Sequence, residues 1–147
     1  DLHSFPTRRS SDLPTAKTMG AADFILDATS GWMTPIMFIA VTFIVGAVIS
    51  FFTGTSWGTF AICIPLAVPM AYSFTGGELG TLVYAAVGAV VSGGLFGDHC
   101  SPVSDTTVLS SLGAACDHID HVRTQIPYAF SAAVISIIGW IIVAATA

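Results

Sequence analysis

The polar and apolar positions of this chain fall into long blocks instead of alternating. Fifty consecutive uncharged positions separate Asp27 from Glu78, another 19 separate Glu78 from Asp98, and none of the 24 positions after Arg123 is charged. A helix crosses the hydrocarbon core of a bilayer with about 20 residues. These runs therefore predict about four spans, or three and a re-entrant piece, in an all-α polytopic membrane protein. The firmest span is "WMTPIMFIAVTFIVGAVISFF", residues 32–52, which carries an aromatic side chain at each end, where the headgroup interface should lie.

The next segment, "TGTSWGT" (residues 53–59), is small and polar yet sits between apolar runs. It fits either a tight turn between two hairpinned spans or a helix break at membrane depth. "FAICIPLAVPMAYSF", residues 60–74, has Pro65 and Pro69 four apart; each removes a helix hydrogen bond, which membrane helices tolerate where protein or cavity water re-satisfies the freed carbonyls. "LGTLVYAAVGAVVSGGLFG", residues 79–97, is rich in small residues that allow close helix packing. The last span, "IPYAFSAAVISIIGWIIVAATA", starts at Ile126.

Composition sharpens this picture. Hydrophobic residues make up 54% of the 147 positions and charged residues only 9%, with a mean hydropathy of +0.82, which is more apolar than a soluble domain of this size requires. A net charge of −5 without basic clusters argues against nucleic-acid or anionic-lipid partners. Three cysteines, Cys63, Cys100 and Cys116, show no short regular spacing and read as small buried side chains, not a disulfide framework.

Against this apolar background, "GDHCSPVSDTTVLSSLGAACDHIDH" (residues 97–121) gathers four of the nine acidic residues, three of the four histidines and two of the three cysteines. Pro102 disfavours helical geometry at Ser101, and Gly93, Gly94 and Gly97 loosen the chain before it, so residues 97–107 are expected to be unwound. Free backbone groups there, with the hydroxyls of Ser101, Ser104, Thr106 and Thr107, offer many oxygen ligands and few negative charges. That inventory suits a small, hard monovalent cation. Asp105 is the first candidate for the ion, flanked by hydroxyl residues with no cation near it in sequence; Asp98 is its assistant. A carboxylate in a dry site favours being protonated or cation-bound, so proton and cation compete for it. The alternative reading has both aspartates capping short helices at the water boundary.

"CDHIDHVR", residues 116–123, holds too many ionisable groups for hydrocarbon. It reads as a solvated turn, pairing Asp117 with His121 and Asp120 with Arg123 at helical spacing; a pH-sensing role for His118 or His121 is a weaker option. Two rival classes remain. His99, Cys100, Cys116, His118 and His121 could hold zinc in a membrane metalloenzyme, although no C-x-x-C or H-x-x-x-H pair occurs. A structural membrane scaffold is the other, and would use none of these polar groups for flux.

"GLFGDHCSPVSDTTVLSSLGAACDHIDHVRTQIPYA", together with "TGTSWGTFAICIPLAVPMA" upstream, strongly resembles the C-terminal half of the NhaC-type Na+/H+ antiporter family from residue 32 onward. The resemblance implies a fragment of an inverted-repeat transporter, with the other repeat in a missing N-terminal half. It implies that residues 53–59 and 101–107 are two broken elements facing one ion, which favours the helix-break reading of the first. Thr55 and Ser56 then join the oxygen donors. The implied activity is exchange of Na+ for H+ across the cytoplasmic membrane, in a multi-pass protein that is not an enzyme and carries no cofactor or structural transition metal. Exchange coupled to organic acids such as malate and lactate is the alternative. The implied partners are Na+, H+ and the lipid bilayer, with room for a homo-oligomer.

"DLHSFPTRRSSDL", residues 1–13, has no apolar run after its arginines and so is no signal peptide. Read back through the codon table, it matches one frame of a widely used short-read sequencing adapter, and is expected to be an artefact. Residues 14–31 then form a loop or interfacial segment, and residues 32–147 the transmembrane domain. With Arg8 and Arg9 set aside, Lys17 and Arg123 are the only basic residues, too few to orient the spans by the positive-inside rule.

Overall fold

The chain divides into two units, Asp1–Trp32 and Met33–Ala147. The computed structural model describes residues 33–146 together with Gly20 and Phe24; the expectations for residues 1–13 and for nearly all of 14–31 lie outside the described residues. The second unit is built of five helices: α1 (Pro35–Thr53), α2 (Ser56–Phe74), α3 (Thr81–Cys100), α4 (Asp105–Gly113) and α5 (His118–Thr146). All but α4 are long and apolar enough to cross a membrane. The chain is thus a multi-pass helical membrane protein, with no strand among the described residues.

Local sequence sets the helix ends. Pro35 opens α1 behind an N-cap, Thr34, whose hydroxyl accepts the N–H of Met37 at 3.3 Å. Gly54 closes α1 in the left-handed region at φ 65°, its N–H bonded to the carbonyl of Ser50 at 2.8 Å. Thr55 then caps α2, so only two residues separate the two helices. Gly76 and Gly77, with φ of 69° and 92°, turn the chain from α2 into α3.

Residue pairs fix the directions. Phe38 at the start of α1 lies beside Phe74 at the end of α2, with ring centroids 5.5 Å apart, so α1 and α2 form an antiparallel hairpin. A Cβ added to Gly93 would strike the carbonyl oxygen of Phe43, and one added to Gly97 the carbonyl oxygen of Ala47. Both pairs have the same sequence offset, so α1 and α3 run parallel, with their backbones in close approach through small residues. Helix α5 returns antiparallel to α3: Phe130 packs on Phe96 with centroids 6.5 Å apart, and Trp140 covers Gly88 while its indole N–H donates to Ser92 Oγ at 2.8 Å.

Three boundaries differ from the sequence reading. The interruption expected over residues 53–59 shrinks to Gly54 and Thr55, because one left-handed glycine and one capping threonine suffice for the turn. The unwound stretch expected over residues 97–107 shrinks to residues 101–104. Gly93, Gly94 and Gly97 stay helical, since they are where α1 and α2 press against α3, and Asp105 already starts α4. The last span begins at His118, with Pro127 inside it, and not at Ile126. Of the three thiols, all free, Cys63 and Cys100 are buried as expected, whereas Cys116 is exposed in the turn before α5.

Candidate functional site

The two interrupted regions, nearly 50 residues apart in sequence, meet at one level of the bundle. Ser101, fully buried, donates its hydroxyl to the carbonyl of Phe51 at 2.6 Å, one of the last α1 carbonyls that lack a helical partner. A Cβ at Gly54 would come within 2.8 Å of the carbonyl oxygen of Val103, so the α1–α2 turn rests directly on the backbone of residues 101–104. The hairpin topology follows the tight-turn reading of residues 53–59, and the same turn abuts the second interruption.

Asp98 lies in the last turn of α3 and is only 4% exposed. Its Oδ1 accepts the hydroxyl of Ser104 at 2.8 Å. The same Ser104 oxygen lies 2.8 Å from Thr106 Oγ1, and the Thr107 hydroxyl reaches the main-chain carbonyl of Asp98 at 3.5 Å. Ser101, Ser104 and Thr107 are all buried. The break thus gathers one carboxylate and a set of neutral hydroxyls, and Arg123, the sole basic residue among the described residues, is exposed on α5. A buried charge with only neutral hydrogen bonds is costly unless a proton or a cation joins it.

Asp105 is placed differently. It is exposed at the first position of α4, and its Oδ1 accepts the N–H of Thr106 at 2.8 Å, a contact that favours a helix start. Of the remaining candidates, Thr106 is exposed but tied to Ser104. Thr55 is half-buried, with its hydroxyl 3.5 Å from the N–H of Gly58 as the α2 cap. Ser56 is buried beside it. The structure therefore joins Asp98, Ser104, Thr106 and Thr107 in one cluster, docks Ser101 on α1, and sets Thr55 and Ser56 at the adjoining turn.

One buried residue, Ser50, carries no role in the sequence reading, and another, His118, takes partners that reading does not give it. Ser50 is fully buried beside Gly97, and its hydroxyl has no hydrogen-bond partner among the described residues; a lone serine in the apolar run just before "TGTS" is the available signal. His118, expected in a solvated turn, is half-buried at the start of α5: its Nε2 donates to the carbonyl of Pro102 at 2.7 Å and its Nδ1 lies 3.2 Å from Ser111 Oγ. Asp117 does not serve the expected side-chain pair either: its Oδ1 accepts the N–H groups of Ile119 and Asp120 at 2.9 and 3.2 Å, starting α5. Among the described residues, no three of the His, Cys, Asp and Glu side chains gather closely enough to hold a metal ion.

Comparison with known proteins agrees with this architecture. The family model described as "Na+/H+ antiporter family" matches residues 16–145. The chain is 50% identical over 113 residues to an uncharacterized protein of Haemophilus influenzae, covering 76% of this chain and 21% of that protein. It is 37% identical over 109 residues to the malate-2H(+)/Na(+)-lactate antiporter of Bacillus subtilis, covering 74% and 22%. Identity to the Na(+)/H(+) antiporter NhaC of Alkalihalophilus pseudofirmus is 35% over 91 residues, covering 62% and 19%. The chain thus spans about a fifth of the length of these relatives. No solved structure gives a significant match. With the family model matched over nearly the whole chain, and the two interruptions brought together in a helical membrane bundle, the chain belongs to the Na+/H+ antiporter family.

Proposed function

We propose that this chain forms the ion-binding part of a longer secondary antiporter that exchanges Na+ for H+ across the cytoplasmic membrane. The observation that carries the reading is Asp98, a buried carboxylate at a helix break whose side chain accepts one hydrogen bond among the described residues, from a neutral hydroxyl. Proton and Na+ each neutralise it, and they exclude one another, which is the coupling an exchanger needs. Burial moves the leading role from Asp105, first on sequence grounds, to Asp98. Asp105 becomes the residue that shapes the break. Ser104, Thr106 and Thr107 supply oxygens around the ion, Ser101 docks the break on α1, and Thr55 and Ser56 close the site from the turn. The carbonyl ends of α1 and α3 arrive at this level too, and their partial negative charge favours a cation.

A second reading, exchange coupled to an organic acid, has its own support. The N-termini of α2 and α4 converge on the same level, and helix N-termini favour carboxylates; one relative bears malate and lactate in its name. Against it, the one lysine or arginine among the described residues, Arg123, is exposed on α5. The test reconstitutes the full-length transporter in liposomes with an internal pH dye and adds Na+, then malate with lactate. A Na+-evoked pH change without organic acid supports Na+/H+ exchange, and a response that needs the acids supports the second reading. No response to either would remove both.

A further inference from the structure

A continuous helix through the break would pair the N–H of Thr106 with the carbonyl of Pro102. The structure replaces that bond with two others. The Thr106 N–H turns to Oδ1 of Asp105 at 2.8 Å. The freed Pro102 carbonyl accepts from Nε2 of His118, 2.7 Å away and 16 residues along the chain. A carbonyl can only accept, so Nε2 carries the proton of this bond. The other ring nitrogen lies 3.2 Å from Oγ of Ser111, a buried residue near the end of α4. One side chain at the start of α5 therefore holds both the break and the far end of the short helix that follows it.

We infer that His118 is a positioning residue for the Asp98 site: by holding the Pro102 carbonyl out of helical register, it keeps residues 101–104 unwound and Ser104 within reach of Asp98. The inference rests on the reading of Asp98 as the ion carboxylate. The bond to Pro102 and the Ser104–Asp98 bond lie on the same four-residue segment, so loosening one lets the other drift. His118 itself touches neither Asp98 nor the hydroxyls around it in any hydrogen bond of the structure, which separates its role from that of a ligand.

The test compares His118→Ala, His118→Gln and His118→Asn in the full-length transporter. The glutamine amide nitrogen occupies nearly the place of Nε2 and can donate to Pro102; the asparagine amide nitrogen corresponds to Nδ1 and cannot reach it. One lost hydrogen bond of this kind corresponds to several-fold, up to about tenfold, in affinity. The expected result is a several-fold rise in half-saturating Na+ for the alanine and asparagine variants, with a smaller change in maximal rate, and recovery in the glutamine variant. Unchanged half-saturation in His118→Ala, or a glutamine variant as impaired as the alanine one, would overturn the proposal. Amide exchange of residues 101–107 in detergent gives a readout independent of transport. Faster exchange in His118→Ala, restored in His118→Gln, is expected even if the transported ion is not Na+, and unchanged exchange refutes the latch directly. If His118→Ala does not fold, Ser111→Ala frees only the far side of the ring; a smaller acceleration of the same exchange supports the latch, and none refutes it.

Discussion

The two interruptions that meet in this bundle are built by opposite means. The turn between α1 and α2 is a backbone solution: Gly54 adopts φ 65°, Thr55 caps the next helix, and two residues complete the reversal. The break between α3 and α4 is a side-chain solution. Pro102 disfavours the helix, Asp105 takes the N–H of Thr106, His118 takes the carbonyl of Pro102, and Ser104 ties the segment back to the side chain of Asp98. A steric turn has one conformation and makes a scaffold. A break held by a carboxylate and hydroxyls depends on what the carboxylate binds, and so can respond to an ion.

Substitutions at the two interruptions should separate these roles. The largest structural effect is expected for Gly54→Val. A left-handed conformation costs a residue with a Cβ about 1–2 kcal/mol, and the added atoms would press on the Val103 carbonyl from 2.8 Å, costing about as much again. The purified protein should lose stability by about 3 kcal/mol, read as a fall in the thermal midpoint. Ser101→Ala removes the joint between turn and break and leaves the Phe51 carbonyl unpaired, at about 1–3 kcal/mol; its thermal midpoint should fall less. Thr55→Ala removes only a long cap contact of 3.5 Å and should cost under about 1 kcal/mol. A reversed order, with Thr55→Ala worse than Gly54→Val in the same melting series, would mean that the turn is held by its cap and not by its backbone.

Much of this was legible in the sequence for physical reasons. Long uncharged runs are placed most cheaply as spans, and Pro102 disfavours helical geometry at Ser101, so about four spans and an interruption around residue 101 followed directly. The extent of the interruption did not, because Gly93, Gly94 and Gly97 look the same in sequence whether they loosen a helix or admit a neighbour; here they admit α1 and α2. Asp98 and Asp105 are both set among hydroxyl residues, and the difference between them arises only from the packing of the fold, which buries Asp98 and leaves Asp105 exposed. The hold of His118 on the break could not be read, since its partners, Pro102 and Ser111, are 16 and seven residues away along the chain and no spacing pairs them with it.

The central claim is that Asp98 is the carboxylate shared by proton and cation. The most direct measurement is the Na+-evoked pH change in proteoliposomes of the full-length transporter, for wild type, Asp98→Asn and Asp105→Asn side by side. Asparagine keeps an oxygen that can accept the Ser104 hydroxyl, so the break should stay formed while its charge and its proton are lost. The account predicts that Asp98→Asn abolishes the response and that Asp105→Asn, which weakens the start of α4, only reduces it. A response that survives in Asp98→Asn and disappears in Asp105→Asn would contradict it.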